Sequence, residues 1–202
     1  MKKQCWMIFV LFLLMGCATP GQKFINISYT ADHEKTQTGA MGLAPFKDNR
    51  TDRNGGYVGY RLLMDKSQET YFVQGMNLAD TLNTSVGDYF KQTGFEVIPM
   101  APWELSPKGV KDSIGGFEQV VAGQINKFEC RAKKMGATTD MVLEIDLTLF
   151  IGKKSNGSSS NELKTIPVSL TLERTEMTFT PGKLEHFVNQ SMEEVIQKAL
   201  QQ

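Results

Sequence analysis

The first seventeen residues place the tightest constraint on what this chain can become. Lys2 and Lys3 open it, residues 6–15 form an unbroken apolar run of ten, and Leu13-Leu14-Met15-Gly16-Cys17 closes it. At a rise of about 1.5 Å per residue the run covers about 15 Å, half of a roughly 30 Å hydrocarbon core, so it is not a comfortable spanning helix. A short basic region, a short apolar region and small residues at the end make a secretory signal. The next residues, Ala18, Thr19, Pro20, Gly21 and Gln22, have neither helical nor strand period and read as a tether. Whatever folds is expected downstream, in residues 24–202.

Leu14 and Gly16, set around the positions before Cys17, resemble the lipobox of bacterial lipoproteins. That resemblance implies that residues 1–16 are removed as a signal peptide and that residues 17–23 are a lipidated tether. The Cys17 thiol would receive a diacylglyceryl group and the new amine a further acyl chain such as palmitate. Two chains already anchor stably, at about 0.8 kcal/mol per buried CH₂. In enteric-type lipoproteins an Asp after the cysteine retains the protein in the inner membrane. Ala18 stands there instead, which implies the outer membrane, facing the periplasm. The alternative is an ordinary signal peptide that leaves Cys17 a plain thiol.

The remainder is long enough for one domain with a core, and too short to expect two. Removing Lys2 and Lys3 from 22 basic residues leaves 20 against 22 acidic ones, a net charge near −2. That balance argues against nucleic acid, which requires a basic face, and against peripheral binding to anionic lipid. Cys5 leaves with the signal and Cys17 is the acylation site, so Cys130 has no internal partner and reads as a half-buried structural thiol. No second apolar run reaches spanning length, so the mature domain is expected to be soluble.

Residues 24–29 alternate as a first strand, residues 40–46 as a second ended by Pro45, and residues 57–64 as a short arm. Between them, residues 47–56 form a charged loop closed by two glycines. Leu78, Leu82, Val86, Tyr89 and Phe90 recur at helical spacing, with Asn77 and Asp80 at the start and Gly94 just past the end. Residues 95–98 follow as a strand, the outline of a crossover unit. Residues 99–116 hold three of the seven prolines and predict irregular structure with one helical turn. Residues 117–130 read as a strand, in which Gly123 implies a bulge or a close approach. Residues 141–149 and 166–172 alternate cleanly as two strands with one wet face each, joined by a Ser-rich hairpin loop. Thr180 and Pro181 open a last helix striped by Leu184, Phe187, Val188, Met192, Val195, Ile196 and Ala199. The expected fold is α+β: a mixed, largely antiparallel sheet with two main amphipathic helices packed on it.

No catalytic cluster, cofactor motif or metal-ligand spacing is found. His33 lies in a polar turn and His186 beside the last helical stripe. Asp48, Arg50 and Asp52 imitate the odd positions of a calcium loop, but Arg50 would set a cation against the metal and Arg53 replaces the glycine of the turn. The loop reads either as Arg and Asp side chains paired in solvent or as a partner-contact surface formed by Asp48, Arg50, Asp52 and Arg53. Glu144 and Asp146, two apart on a wet face, read as solvated charge rather than a hydrolytic pair.

The segment Gly42-Leu43-Ala44-Pro45-Phe46 followed by Asp48-Asn49-Arg50 resembles periplasmic lipoproteins of the YajG kind, and more distantly the LpoB, CsgG and TolB N-terminal-like domains. Leu78-Ala79-Asp80-Thr81-Leu82, Gly94-Phe95-Glu96-Val97 and residues 121–125 continue that resemblance, which covers roughly residues 40–200. It implies a non-enzymatic outer-membrane lipoprotein that binds a protein of a cell-envelope assembly. A carrier of a lipid or glycan fragment is the alternative, and would need an apolar cavity lined by the inward faces of residues 141–149 and 166–172.

Overall fold

Three long consecutive strands set the architecture, because alternation in their sequence runs on for fifteen residues or more where most strands stop near six. They are β7 (Gln119–Met135), β8 (Thr138–Lys153) and β9 (Glu162–Glu176). The computed structural model describes residues 21–51, 55–154 and 161–200. The other elements are β1 (Gln22–Ile25), β2 (Ala40–Leu43), β3 (Lys47–Asp48), β4 (Tyr57–Leu62), β5 (Gln68–Val73) and β6 (Glu96–Pro99), with helices α1 (Leu78–Thr93), α2 (Pro107–Ser113) and α3 (Pro181–Leu200).

β7 is the pivot. One edge pairs with β8 along its whole length, and β8 pairs in turn with β9, both antiparallel. Its other edge is shared by β2, β3 and β4, all parallel to it. β6 adds parallel to β2, β5 antiparallel to β4, and β1 parallel to β5. Among the described residues five of these eight pairings are parallel, so the α+β class stands while a largely antiparallel sheet does not. The reason is connectivity. β2, β3 and β4 are separated by Pro45 and by the charged loop rather than by tight hairpins, and α1 carries the chain from the β2–β5 region across to β6. β2, β3, β4 and β6 therefore run in the direction of β7, while β5 turns back on β4 and β1 follows β5.

Pro45 has no N–H to donate, and the strand expected over residues 40–46 stops at Leu43 and resumes as β3. Ala44 and Asn49 still donate to Val121 and Ile125, so the interrupted segment stays on β7. The expected first strand also ends early, at Ile25. Beyond it the backbone N–H groups of Asn26, Ser28 and Thr30 are accepted by Glu185, Asn189 and Glu193 of α3, at 2.9, 3.2 and 2.9 Å. A two-residue strand step (about 6.6 Å) nearly matches a four-residue helix rise (about 6.0 Å), so a helix face replaces a neighbouring strand.

The helices keep the boundaries their capping residues dictate. Asn77 accepts from the Asp80 N–H at 2.8 Å, and Gly94 takes φ +114° beyond the last turn. Thr180 accepts from the Lys183 N–H at 3.3 Å ahead of the α3 stripe. α1 and α3 bury their stripes against the inward residues of β7 and β8. Met141, Leu143, Ile145, Leu147 and Leu149 are each at most 2% exposed there. α2 covers a smaller cluster of Val110, Ile114 and Val120. Among the described residues no helix is long and apolar enough to cross a membrane.

Candidate functional site: a polar cleft at the β7 bulge

The pairing of β7 with β8 slips by one residue between Ile125 and Lys127, leaving Asn126 as a bulge. Bulges turn side chains out of register, and here the displaced group is an amide. Asn126 donates to Asp146 and to Thr148, each at 3.2 Å. Beside it, Lys127 and Arg131 converge on Glu144 at 3.0 and 2.8 Å. The Tyr57 hydroxyl donates to Glu129 at 3.0 Å. The result is an open cleft of about 250 Å³ between the 49–51 segment and residues 126–129.

Its floor is set by Arg50. The guanidinium grips both carboxylate oxygens of Asp48, from Nε at 2.9 Å and from Nη2 at 2.7 Å, and the Arg50 backbone N–H adds a third bond at 3.0 Å. Nη1 donates to the carbonyls of Tyr57 and Phe128, at 2.8 and 3.1 Å. The side chain is only 5% exposed, against 19% for Asp48. Burial alone would raise the Asp48 carboxyl, but the Arg50 hydrogen bonds and charge outweigh it and hold the group below its ordinary value.

Of the residues singled out as a partner-contact loop, Asp48 and Arg50 are thus brought together as an internal tie between β3, β4 and β7. Asp52 and Arg53 lie outside the described residues, as does Cys17. With both Asp48 oxygens taken by a guanidinium, the calcium-like spacing has no carboxylate to offer there.

The other sequence candidates resolve individually. Glu144 faces Lys127 and Arg131, and Asp146 faces Asn126, so the two carboxylates serve separate polar networks on the outer sheet face. His33 hydrogen-bonds to the Tyr29 hydroxyl and packs on Tyr89, while His186 is exposed on α3. Cys130 is 1% exposed, and burial pushes its thiol up to about 12. The inward faces of β8 and of the first half of β9, named by the carrier reading, are buried in one apolar cluster with α1 and α3 among the described residues.

Asn126, Lys127 and Glu129 were not anticipated from sequence. A signal was present: buried Ile125 and Phe128 are three apart where every other inward pair of β7 is two apart. That single break in period is the bulge.

No family model matches the chain, and no curated protein matches it. Among solved structures it is similar to a Xanthomonas campestris protein of the DUF330 family, with 11% identity and a TM-score of 0.48 over 89% of this chain and 92% of that one. It is similar to a neuraminyllactose-binding hemagglutinin homolog from Helicobacter pylori, with 9% identity and a TM-score of 0.39 over 86% and 88%. It is also similar to lipoprotein GNA1162 from Neisseria meningitidis, with 12% identity and a TM-score of 0.35 over 77% and 97%. These are distant likenesses, and none passes a function to this chain.

Proposed function

We propose that this chain is a non-enzymatic lipoprotein, anchored through Cys17 in the outer membrane, whose periplasmic domain binds a protein of a cell-envelope assembly. The observation that carries the reading is the stretch Leu13-Leu14-Met15-Gly16-Cys17, five residues ahead of β1. A lipid placed there leaves the whole fold downstream of the anchor and close to it. The resemblance of residues 40–200 to lipoproteins of the YajG kind supports the same reading. The polar cleft beside Asn126 offers amide and charged groups to a protein surface.

The test is twofold. Cells grown with radiolabelled palmitate should label the protein, and Cys17→Ser should remove the label. A photo-crosslinking residue at Thr51, which is exposed at the cleft, should trap a protein partner in intact cells. An unlabelled parent protein would refute the anchor, and crosslinks no different from an irradiated Cys17→Ser control would refute the anchored partner.

A further inference from the structure

The strand directions bring one end of the sheet to the anchor. Gln22 begins β1 and pairs with Thr70, so the start of β1 lies beside the start of β5 and the turn that joins it to β4. Leu62 pairs with Lys133, placing the β7–β8 turn at the same end, and Thr139 pairs with Glu176, placing the end of β9 there too. Five residues separate Cys17 from Gln22 and reach at most about 18 Å when fully extended. Successive strands lie about 4.8 Å apart, so β4 and β7 are offset sideways from β1 by about 10 and 15 Å, and the β7–β8 turn lies four residues, about 13 Å, beyond the level of Gln22. The chain enters β1 from this end, and a tether of at most about 18 Å keeps this end within reach of the membrane.

This end has the composition of a surface made for a lipid headgroup layer. Met64, Met135 and Met177 are 67%, 50% and 75% exposed, three of the six large apolar side chains that the described residues leave exposed. Leu62 and Leu63 line the same shallow apolar depression as Met64 and Met135. Lys66, Lys133 and Lys134 stand around it, and none of them has an ion pair among the described residues. The carboxylates at this end are engaged: Asp65 with Ser67, Asp140 with Thr175, and Glu176 with Lys183. Asp65 and Asp140 keep their charge, and Asp140 lies opposite Lys133 across β7 and β8, so the surface mixes lysines and carboxylates around the exposed methionines.

We infer that the end carrying Met64, Met135 and Met177 docks directly on the phospholipid bilayer, with Lys66, Lys133 and Lys134 against the lipid phosphates. The inference rests on the Cys17 anchor. Flexible methionines enter the headgroup boundary, and lysine stems add apolar length while their ammonium groups stay wet. Each contact is weak in isolation. The tether supplies an effective concentration in the millimolar range, so weak contacts suffice to fix an orientation.

The experiment uses the full lipidated chain in vesicles of phosphatidylethanolamine and phosphatidylglycerol. Met64→Cys, Met135→Cys and Lys111→Cys are each labelled with an environment-sensitive fluorophore. Lys111 is exposed on α2, which packs on Val120 near the start of β7 at the opposite end of that strand, and serves as the reference. The buried Cys130 does not compete for label. The expected result is blue-shifted emission at positions 64 and 135, quenched by nitroxide-bearing lipid, with neither effect at 111. The mass of the N-terminal peptide is read on the same preparation. Acylated protein with all three labels equally wet overturns the docking inference and leaves the anchor standing; a surface reserved for a protein would give that result, since the vesicles contain no other protein. A peptide without acyl mass overturns the anchor, and the docking with it.

Discussion

Arg50→Ala separates the two readings of the charged loop. If Arg50 is the internal tie described above, truncation leaves a carboxylate 19% exposed without its fork and deprives two carbonyls of a donor. Breaking a buried ion pair from one side costs about 3–5 kcal/mol, and partial hydration of Asp48 places this case near the lower figure, about 3 kcal/mol. For a folded chain of this size, each kcal/mol shifts Tm by about 2–4 °C, so the melting point should fall by about 6–12 °C. Asp48→Ala removes one partner but leaves the guanidinium its two carbonyls, and should cost about 1–2 kcal/mol. The double variant should reveal a coupling of about 1–2 kcal/mol. The pH dependence carries a sign. Because the folded-state pKa of Asp48 is depressed, its contribution is complete above the ordinary carboxylate value of about 3.9 and is lost as pH falls through the lower folded value. The gap between parent and Arg50→Ala should therefore be constant near neutrality and narrow only in acid, down to the share carried by the two carbonyl hydrogen bonds. Thermal unfolding by circular dichroism from neutral to acid pH reads all of this. A loss below about 0.5 kcal/mol would mean a solvated surface pair, and the tie would be refuted.

Gly123 faces the ring of Phe46, and a Cβ there would lie 2.4 Å from ring carbons; Gly123→Ala should cost about 1–3 kcal/mol by overpacking. Much of that cost should disappear when Phe46 is shortened to Leu in the same chain, and strictly additive losses in thermal melts would contradict the contact. Cys130 should resist a thiol reagent in the native protein and react fully once guanidinium unfolds it. Fast native labelling would contradict its burial and its raised pKa.

The parts legible in the sequence are those where local chemistry and tertiary structure ask for the same thing. β8 alternates because one face meets helices and the other meets water, and α1 is bounded by an Asn cap and a left-handed Gly whatever it packs against. The parts that were not legible depend on partners remote in sequence. Residues 26–30 look like a strand, yet their N–H groups are taken by side chains some 160 positions away on α3. β5 has no sequence signal of its own, because its inward side chains, Tyr71 and Val73, are only two, too few to establish a period against Gln68, Glu69 and Thr70. The direction of β2, β3 and β4 against β7 has no local signature at all, since strand alternation is the same for parallel and antiparallel neighbours. At the cleft, Asp48 and Arg50 were visible as a pair, but the Tyr57 and Phe128 carbonyls that bury the guanidinium are backbone groups and leave no mark on the sequence.

β7 links the two functional proposals physically. Its C-terminal end lies at the sheet end proposed to dock, and its bulge borders the cleft. Eight residues separate Lys127 from Met135, which at about 3.3 Å each is about 26 Å of strand. That length is hydrogen-bonded to β8 on one side throughout and to β4 on the other near the docking end, so it behaves as a rigid spacer. With the methionine end seated on the lipid, the cleft stands up to about 26 Å above the bilayer at a fixed height and heading. An unseated domain on the same tether could lift away by up to about 18 Å more and rotate freely. Seating therefore narrows the volume in which the cleft is found, and a partner held in the same membrane gains from that restriction without any additional contact. On the proposed reading the lipid at Cys17, the methionine end and the Asn126 bulge would act in series: the first would restrict distance, the second would fix orientation, and the third would offer the polar surface at the height the first two set.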